Sequence, residues 1–517
     1  MLIKLFTLLI LLSSLIDRNQ CADILLLVPL RSGSFYHILN PLVKLLLDRG
    51  HNITAVSAIS FPYHNIRQIV IKSSFNCALM DHSITDDPRS TLLNTHEIGY
   101  MVTEEMFKNK EFQALLLQDR TFDLVISTDL PLFYAIAAVE HRFKAHGITI
   151  LNHDAASQVS WLLGEYFNPA YQPATHYTHA EQSMTFQERL YNFYVMGMTL
   201  FITYSWILPL HESLLKSFSD DLPFLKDRPS LTNIISNKSL ILIPIHHAVQ
   251  NIYTHSPRTR HIAGICIERN NSLPKVFDNF MSKSPGVILV NLDLSLLNKH
   301  KARKFEKTLL SVFSRLMQNV IWKHNLTSIS SLPRNVMVTD WLPQQDILAH
   351  KNLNLFMTHG GLNSITEATY FGVPLIITPF SMEHYRNIKK VFNSGAGIVV
   401  DSENLSVAII RSTIYKISNN PKYRESAMRR SKMFRDRLQN PLDEAVYWIE
   451  YVFKYGNILK PATSTMPQYQ VFLLDIVFFI VLIIIITFYL CRYIFKFIFH
   501  KTAKVFYNFQ SVSKKNE

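Results

Sequence analysis

The chain has 517 residues, of which 48% are hydrophobic and 18% are charged. This composition excludes a disordered or fibrous chain and predicts two domains with accessory segments. The formal net charge of +13 would suit a nucleic-acid-binding surface, but residues 492–517 alone contain six Lys or Arg and one acidic residue. The remaining positive charge is spread along the chain without a basic stripe, so we expect no binding to nucleic acid.

The N-terminus has the pattern of a secretory signal peptide. Lys4 is followed by an apolar run over residues 5–16, which is too short to span a bilayer about 30 Å thick. We therefore predict a signal peptide over residues 1–22, with cleavage near Cys21. A buried N-terminal strand is the alternative.

Residues 471–491 contain one charged side chain, Asp475, and predict a transmembrane helix. The basic tail at 492–517 follows directly, and the positive-inside rule assigns it to the cytosol and the preceding domains to the lumen. The chain ends with Lys514-Lys515-Asn516-Glu517, which resembles a dilysine retrieval signal. These features predict a single-pass protein of the endoplasmic reticulum membrane. N-glycosylation sequons fit a lumenal glycoprotein and begin at Asn52, Asn237, Asn270, Asn325 and Asn404.

A second apolar stretch, residues 191–210, contains no charged side chain and is rich in Tyr and Phe. It also carries polar residues and Pro209, so we interpret it as an aromatic helix that packs on the core or dips into the membrane surface. The alternative is a second membrane span, which would place the C-terminal half in the cytosol.

The four cysteines do not indicate a disulfide framework. Cys21 lies beside the predicted cleavage site and Cys491 lies in the predicted membrane helix. Cys77 and Cys266 have no Cys/His spacing typical of zinc. We expect no metal site.

Strands and helices alternate in two regions of the chain, which indicates two parallel, doubly wound sheets. In the first region a strand at 23–28 precedes a helix at 38–48, which Gly50 ends. Further strands are predicted there at 53–57, 122–127 and 148–152. In the second region strands are predicted at 286–292, 320–323, 336–338, 353–358 and 375–379. The amphipathic segment 442–453 could return to pack on the first region.

The motif THGGLNSITE at 358–367 follows the predicted strand at 353–358 and opens a helix. His359, Gly360 and Gly361 therefore bring backbone N–H groups, a helix dipole and an imidazole to one place, which suits a phosphate. Asn363 and Ser364 add hydrogen-bond donors in the first turn.

A nucleoside could bind beside this phosphate site. Glu367, further along the same helix, could accept hydrogen bonds from ribose hydroxyls, and Trp341 offers a flat face for a base. Each residue alone would also suit a structural role. Their joint spacing favours a nucleotide site.

Further motifs are WLPQQDILAH at 341–350, MTFQERLYN at 184–192 and residues 445–451. Together with THGGLNSITE and the two chain ends, they resemble those of the UDP-glycosyltransferases, the family of animal glucuronosyl- and glucosyltransferases. The resemblance implies an α/β protein of the GT-B fold, with two Rossmann-like doubly wound domains and a C-terminal transmembrane helix. An acceptor-binding domain would occupy residues 23–285 and a UDP-sugar-binding domain residues 286–455.

The resemblance also assigns roles to residues. Trp341 would stack on uracil, Gln344 would contact the nucleoside and Glu367 the ribose. The sugar would be recognised by Glu383 and His384, where the family usually has Asp-Gln, and the diphosphate would be bound by His359, Gly360, Asn363 and Ser364. UDP-sugar would be a co-substrate, and no cofactor or metal is implied. Homo- and hetero-oligomers with family members both remain open.

The catalytic positions depart from the family pattern. The family's general base, a histidine, is replaced by Phe35, and its supporting aspartate by Thr128. His37 lies two residues after the first position, where a helix would turn it by about 200° and point it away. Asp129 lies one residue after the second. We take His37 and Asp129 as a candidate relocated pair.

A further departure is NLDL at 291–294, where the family usually has Ser-x-Gly-Ser. The charge of Asp293 is expected to oppose diphosphate binding.

Two hypotheses follow. The first is an inverting transferase that moves a hexose, such as glucose or glucuronic acid, to a hydroxyl of a small lipophilic acceptor. The second is an inactive relative that binds a ligand or a protein partner at the membrane.

Overall fold

The computed structural model describes residues 21–72, 87–128, 132–152, 157–165, 167–174, 183–251, 253–268, 272–324, 332–402 and 405–513. Most of the predicted signal peptide, Asp129, three of the five sequons and the dilysine end lie outside these residues, as does the side chain of Glu383. The chain divides into a body that ends at Pro461 and a C-terminal unit that begins at Ala462.

The first region of the body forms a parallel sheet of seven strands in the order β3-β2-β1-β4-β5-β6-β7. Its third strand is apolar on both faces, and Ile24 of that strand is paired with Ile53 on one side and Leu124 on the other. The predicted doubly wound sheet is thus confirmed. Its strands are β1 (Asp23–Val28), β2 (Asn52–Ser57), β3 (Arg67–Val70), β4 (Leu124–Thr128), β5 (His146–Ile150), β6 (Leu240–Ile243) and β7 (Thr259–His261).

The helices of this region cover the sheet. The first of them begins at Gly33, five residues earlier than predicted, because the Ser32 side chain accepts a hydrogen bond from the Phe35 N–H and caps it. A π-helical turn, Thr203–Ile207, joins the sixth and seventh helices. They are α1 (Gly33–Asp48), α2 (Pro88–Lys108), α3 (Lys110–Leu117), α4 (Ala137–Phe143), α5 (Ser157–Leu162), α6 (Phe186–Ile202), α7 (Leu208–Ser217) and α8 (Leu231–Ser236).

The second region forms a parallel sheet of six strands in the order β10-β9-β8-β11-β12-β13. The last strand was not predicted from the sequence, and neither were β3, β6 and β7 of the first sheet. The strands are β8 (Val287–Asn291), β9 (Asn319–Lys323), β10 (Val336–Thr339), β11 (Leu353–Thr358), β12 (Leu375–Ile377) and β13 (Gly397–Val399). The helices are α9 (Lys275–Ser282), α10 (Lys299–Phe313), α11 (Gln344–Ala349), α12 (Leu362–Phe371), α13 (Met382–Asn393), α14 (Val407–Asn419) and α15 (Pro421–Arg435).

The last helix of the body, α16 (Pro441–Tyr455), returns to the first region. Its buried residues Ala445, Ile449 and Val452 lie in the core that also contains β1 and α1. Glu450 on its surface accepts a 2.8 Å hydrogen bond from Arg49. The sequence-based boundary at 286–455 assigns this helix to the second domain, whereas its packing joins it to the first.

The C-terminal unit contains two helices, α17 (Gln468–Val471) and α18 (Leu474–Ser513). The segment Leu474–Lys504 of α18 has a mean hydropathy of 2.9, and none of the residues in its most apolar stretch is buried. By length and composition it is a candidate membrane span. Phe186–Ser217 in the body is also long and apolar enough for a span, with a mean hydropathy of 1.5, but a third of the residues in its most apolar stretch are buried.

Candidate active site

The turn between β11 and α12 is built from glycine. Gly360 has a φ of +101°, and a Cβ added there would lie 2.9 Å from Ile377 Cγ2. Its carbonyl accepts a 3.2 Å hydrogen bond from Asn387 Nδ2 on α13. Only glycine fits this turn without strain, and the turn aims the N-terminus of α12 out of the sheet edge.

His359 adds a side-chain donor to that helix terminus. Its Nδ1 accepts a 3.4 Å hydrogen bond from the Asp293 N–H, so the neutral ring carries its proton on Nε2. A Cβ on Gly361 would lie 2.9 Å from this Nε2, which places the imidazole beside the residue that precedes α12. Asn363 and Ser364 lie in the first turn of α12. Backbone N–H groups and an imidazole N–H thus meet where an anion would bind.

A buried carboxylate lies further along α12. Glu367 Oε2 accepts a 2.5 Å hydrogen bond from Gln344 Nε2, and its Oε1 accepts one of 2.9 Å from Gln345 Nε2. Gln344 is itself oriented by Asn291 Nδ2, which lies 2.7 Å from its Oε1. Burial raises the pKa of Glu367, while the two glutamine amides and the charge of His37 oppose this rise. Residues from β8, α11 and α12 therefore hold the carboxylate in one orientation.

Trp341 lies in the loop between β10 and α11, three residues before Gln344. Its side chain is 66% exposed, and its carbonyl accepts a 2.6 Å hydrogen bond from Thr339 Oγ1. The fixed backbone and the exposed indole suit stacking on a flat ring.

A second histidine lies against His359. The ring of His384 on α13 is buried, with its centroid 4.7 Å from that of His359. Its Nδ1 accepts a 3.3 Å hydrogen bond from the Phe380 N–H. Burial lowers the pKa of His384 to about 4, against the opposing charge of Asp293. The ring is therefore neutral at pH 7 and carries its proton on Nε2.

His37, the candidate base from the sequence, lies on the first helix of the first domain. The apolar stripe of α1 includes Phe35, Ile38 and Leu39, and His37 lies outside it and is exposed. Burial raises the pKa of Glu367, and the charge of His37 is the weakest of the effects that oppose this rise. In α1, Phe35 is buried and His37 is exposed, so the two side chains point to different sides of the helix, and the role of His37 as a relocated base stays a prediction.

A family profile described as "UDP-glucoronosyl and UDP-glucosyl transferase" matches residues 30–506 of the chain. The chain belongs to this family. UDP-glucosyltransferase 2 of Dactylopius coccus is 30% identical over 509 residues, which cover 94% of this chain and 95% of that protein. A 2-hydroxyacylsphingosine 1-beta-galactosyltransferase of Mus musculus is 28% identical over 322 residues, or 62% and 58% of the two chains.

Solved structures give the fold of this UDP-glycosyltransferase family member. The calicheamicin glycosyltransferase CalG4 superposes with a TM-score of 0.57 at 18% identity, over 84% of this chain and 99% of that one. The two parallel sheets are thus the Rossmann-like domains of the GT-B fold, as the sequence resemblance implied.

Two departures of this UDP-glycosyltransferase from the family pattern are visible at atomic level. Phe35 is fully buried in the core of the first domain. Thr128, at the end of β4, is also buried and donates a 3.5 Å hydrogen bond to the Leu27 carbonyl. Neither side chain can accept a proton from an acceptor hydroxyl at neutral pH.

Asp293 turns its carboxylate toward its own loop. Its Oδ1 accepts hydrogen bonds from the Ser295 N–H and hydroxyl at 3.2 and 2.5 Å, and so caps the short turn Leu294–Leu296. Burial lowers the pKa of His384, and the negative charge of Asp293 opposes part of this lowering. Capping satisfies part of the carboxylate, and the backbone N–H of the same residue orients His359.

Three amide residues of the site carried no role in the sequence analysis: Asn291, Gln345 and Asn387. The signal for Gln345 was its place next to Gln344 in WLPQQDILAH, and the signal for Asn291 was its departure from the family motif. Among the residues that the structure describes, no three His, Cys, Asp or Glu side chains are grouped as a metal site requires.

Proposed function

We propose that this protein transfers a hexose, such as glucose or glucuronic acid, from a UDP-sugar to a hydroxyl of a small lipophilic acceptor, with inversion at the anomeric carbon. The observation that carries the proposal is the Glu367 carboxylate, which Gln344 and Gln345 hold at 2.5 and 2.9 Å beside the N-terminus of α12. A nucleoside diphosphate needs both features, one for the ribose hydroxyls and one for the phosphate charge.

In the proposed reaction His37 acts as general base. It takes the proton from the acceptor hydroxyl, and Asp129 is its expected partner. The acceptor oxygen then attacks the anomeric carbon from the face opposite UDP, and the bond from that carbon to the diphosphate oxygen breaks. The α12 N-terminus and the Nε2–H of His359 stabilise the negative charge that develops on UDP.

The donor-sugar contacts belong to Glu383 and His384. The neutral His384 ring, with Nδ1 bonded to the Phe380 N–H, would offer Nε2–H to a sugar hydroxyl. The family includes proteins named for glucose, glucuronic acid and galactose, so we propose a hexose donor without choosing among them.

We further propose that the protein is a single-pass glycoprotein of the endoplasmic reticulum, with a lumenal body and a cytosolic tail. The support is the apolar segment Leu474–Lys504 and the basic residues that follow residue 491. In sealed microsomes, added protease should remove an epitope at the C-terminus and leave the body intact. Loss of the body under these conditions would reject the topology.

One specific observation favours a second candidate, an inactive relative that binds a ligand or a partner. Phe35 and Thr128, at the family's catalytic positions, are both buried and carry no base. This candidate keeps nucleotide binding and lacks transfer.

Transfer assays on the full chain in detergent separate the two candidates. UDP-glucose, UDP-galactose and UDP-glucuronate would be tested against a panel of lipophilic phenols and alcohols. We expect transfer, and a loss of about 10²–10⁴-fold in His37→Ala, as is typical for removal of a general base. His64→Ala is the matched control, because His64 is an exposed histidine of the same domain. Nucleotide binding without transfer to any acceptor would favour the inactive relative.

A further inference from the structure

Helix α6 is fixed to the body along one face. Asn192 Nδ2 donates 2.8 Å hydrogen bonds to the carbonyls of Pro169 and Gln172, and its Oδ1 accepts one of 2.7 Å from the Ala174 N–H. Val195 and Met196 continue this buried face and pack in a small apolar cluster with Phe167. The helix therefore has a defined inner side and cannot rotate to hide its other face.

The opposite face of α6 and of the π-helical turn is aromatic and exposed. Its members recur at helical spacing and form what we call the aromatic stripe: Phe186, Leu190, Phe193, Tyr194, Phe201 and Trp206. From first to last the stripe extends for about 30 Å along the helix axis. With large side chains more than half exposed, it presents roughly 700 Å² of mostly apolar surface, more than a soluble monomer normally leaves in water.

The helix does not fit a membrane span. A third of the residues in its most apolar stretch are buried in the body. The Asn192 side chain on the buried face forms hydrogen bonds with backbone groups of the preceding loop. A helix that crossed the bilayer would have to break these contacts. The stripe can reach lipid only with the helix lying along the surface of a membrane.

Composition points to a bilayer interface as the partner. From Leu190 to Trp206 the stripe contains no charged side chain. Near its start, Glu188 caps the helix at Thr185 and Arg189 donates to the Met184 carbonyl, so the stripe offers little to an ionic protein partner. Trp206 and Tyr194 each pair an apolar ring with a polar tip, which is the chemistry that the headgroup region of a membrane favours. The same chain also carries the candidate span Leu474–Lys504. A protein anchored by such a span is held close to a bilayer, which makes a bilayer the most available apolar partner.

We propose that the aromatic stripe of α6 lies in the boundary between headgroups and acyl chains of the membrane to which the chain is anchored. The interaction is independent of catalysis and of the proposed donor site. It would also bring the acceptor domain against the phase in which a lipophilic compound is dissolved.

Bromolipid quenching of tryptophan fluorescence tests this proposal on the full chain in phosphatidylcholine nanodiscs that hold one copy each. The contribution of Trp206 is the difference between the wild type and Trp206→Phe. Trp341 gives the matched control. It is 66% exposed, close to the 64% of Trp206, but it lies outside the stripe. We expect bromines near the headgroup to quench the Trp206 contribution by at least twofold, more than bromines deep in the chains, and to leave that of Trp341 unquenched.

A second pair of variants probes the stripe without removing a fluorophore. Phe201→Glu is expected to halve the quenching of Trp206, while Tyr415→Glu should leave it unchanged. The two positions are 72% and 70% exposed, so neither charge enters the core. No quenching of Trp206 by either lipid would overturn the proposal, as would equal quenching of Trp341. Stronger quenching by deep bromines would mean a membrane span instead.

Discussion

The amide of Gln344 lies 2.5 Å from the Glu367 carboxylate and 2.7 Å from the side chain of Asn291. Three elements, β8, α11 and α12, therefore converge on the group that is expected to bind ribose. In this chain of two hydrogen bonds, Asn291 contacts Gln344, and Gln344 contacts Glu367. Asn291 therefore acts as a positioning residue.

Gln344→Ala removes a hydrogen bond to a charged group, and such bonds contribute about 1.5–3 kcal/mol. We expect UDP affinity to fall by more than tenfold. Asn291→Ala should weaken binding by only a few-fold, because Gln344 loses its orientation and keeps its amide. Calorimetric titration with UDP measures both. Equal UDP affinity in the wild type and in both variants would show that these two hydrogen bonds do not position the ribose-binding group.

Restoring the family pattern with Phe35→His and Thr128→Asp tests where the base lies. Phe35 is buried among apolar side chains, so an imidazole there should lower the free energy of unfolding by about 1–3 kcal/mol. With His37 as the base, we expect no gain in transfer rate. A clear gain would show that the family position is still the competent one, and would support a decayed site.

His384 predicts acid sensitivity. Its pKa is about 4 in the folded chain, below the 6.5 of an unperturbed histidine. Above pH 6.5 the ring is neutral in both states, so stability is unaffected. As the pH falls from 6.5 to 4, only the unfolded chain takes up the proton and stability is lost, by about 2 kcal/mol between pH 7 and pH 5.

His384→Gln should remove this share of the loss, which thermal unfolding in detergent at pH 7 and pH 5 would measure. His64→Gln is the control at an exposed site and should change the pH dependence little. An unchanged pH dependence in His384→Gln would contradict the buried, neutral ring. The pKa of His246, which burial also lowers, to about 3, accounts for part of the loss that remains.

Gly360→Ala should damage the phosphate turn. Its φ of +101° is costly for alanine, and the new Cβ would press on Ile377. We expect a loss of about 1–3 kcal/mol in stability and a marked loss of UDP affinity. Gly33→Ala is the control, because a Cβ there meets no atom within 4 Å. Normal UDP binding by Gly360→Ala would show that the turn does not need glycine.

The sheets could be predicted because buried parallel strands form short apolar runs that local sequence reveals. The amphipathic pattern of 442–453 also indicated the return of α16 to the first region, which its packing confirms. The order of strands within each sheet depends on packing between distant segments. The phase of α1 follows its apolar stripe, in which Phe35, Ile38 and Leu39 are buried while His37 is exposed.

The candidate site was predictable where its residues are close in sequence. His359, Gly360 and Glu367 lie within one strand–turn–helix unit, so their spacing alone places them together. Asn291 lies 53 residues from Gln344, so their approach depends on the tertiary fold. The aromatic stripe was visible as a charge-free stretch, but its exposed face emerged only from the packing of Asn192.

The most direct test of the donor site is a calorimetric titration of the full chain in detergent with UDP, compared with Glu367→Ala and with the exposed-site control Glu425→Ala. The account predicts micromolar binding to the wild type and to Glu425→Ala, and at least a tenfold loss in Glu367→Ala. Absence of binding to the wild type, or equal affinity in all three, would contradict a nucleotide site at the N-terminus of α12.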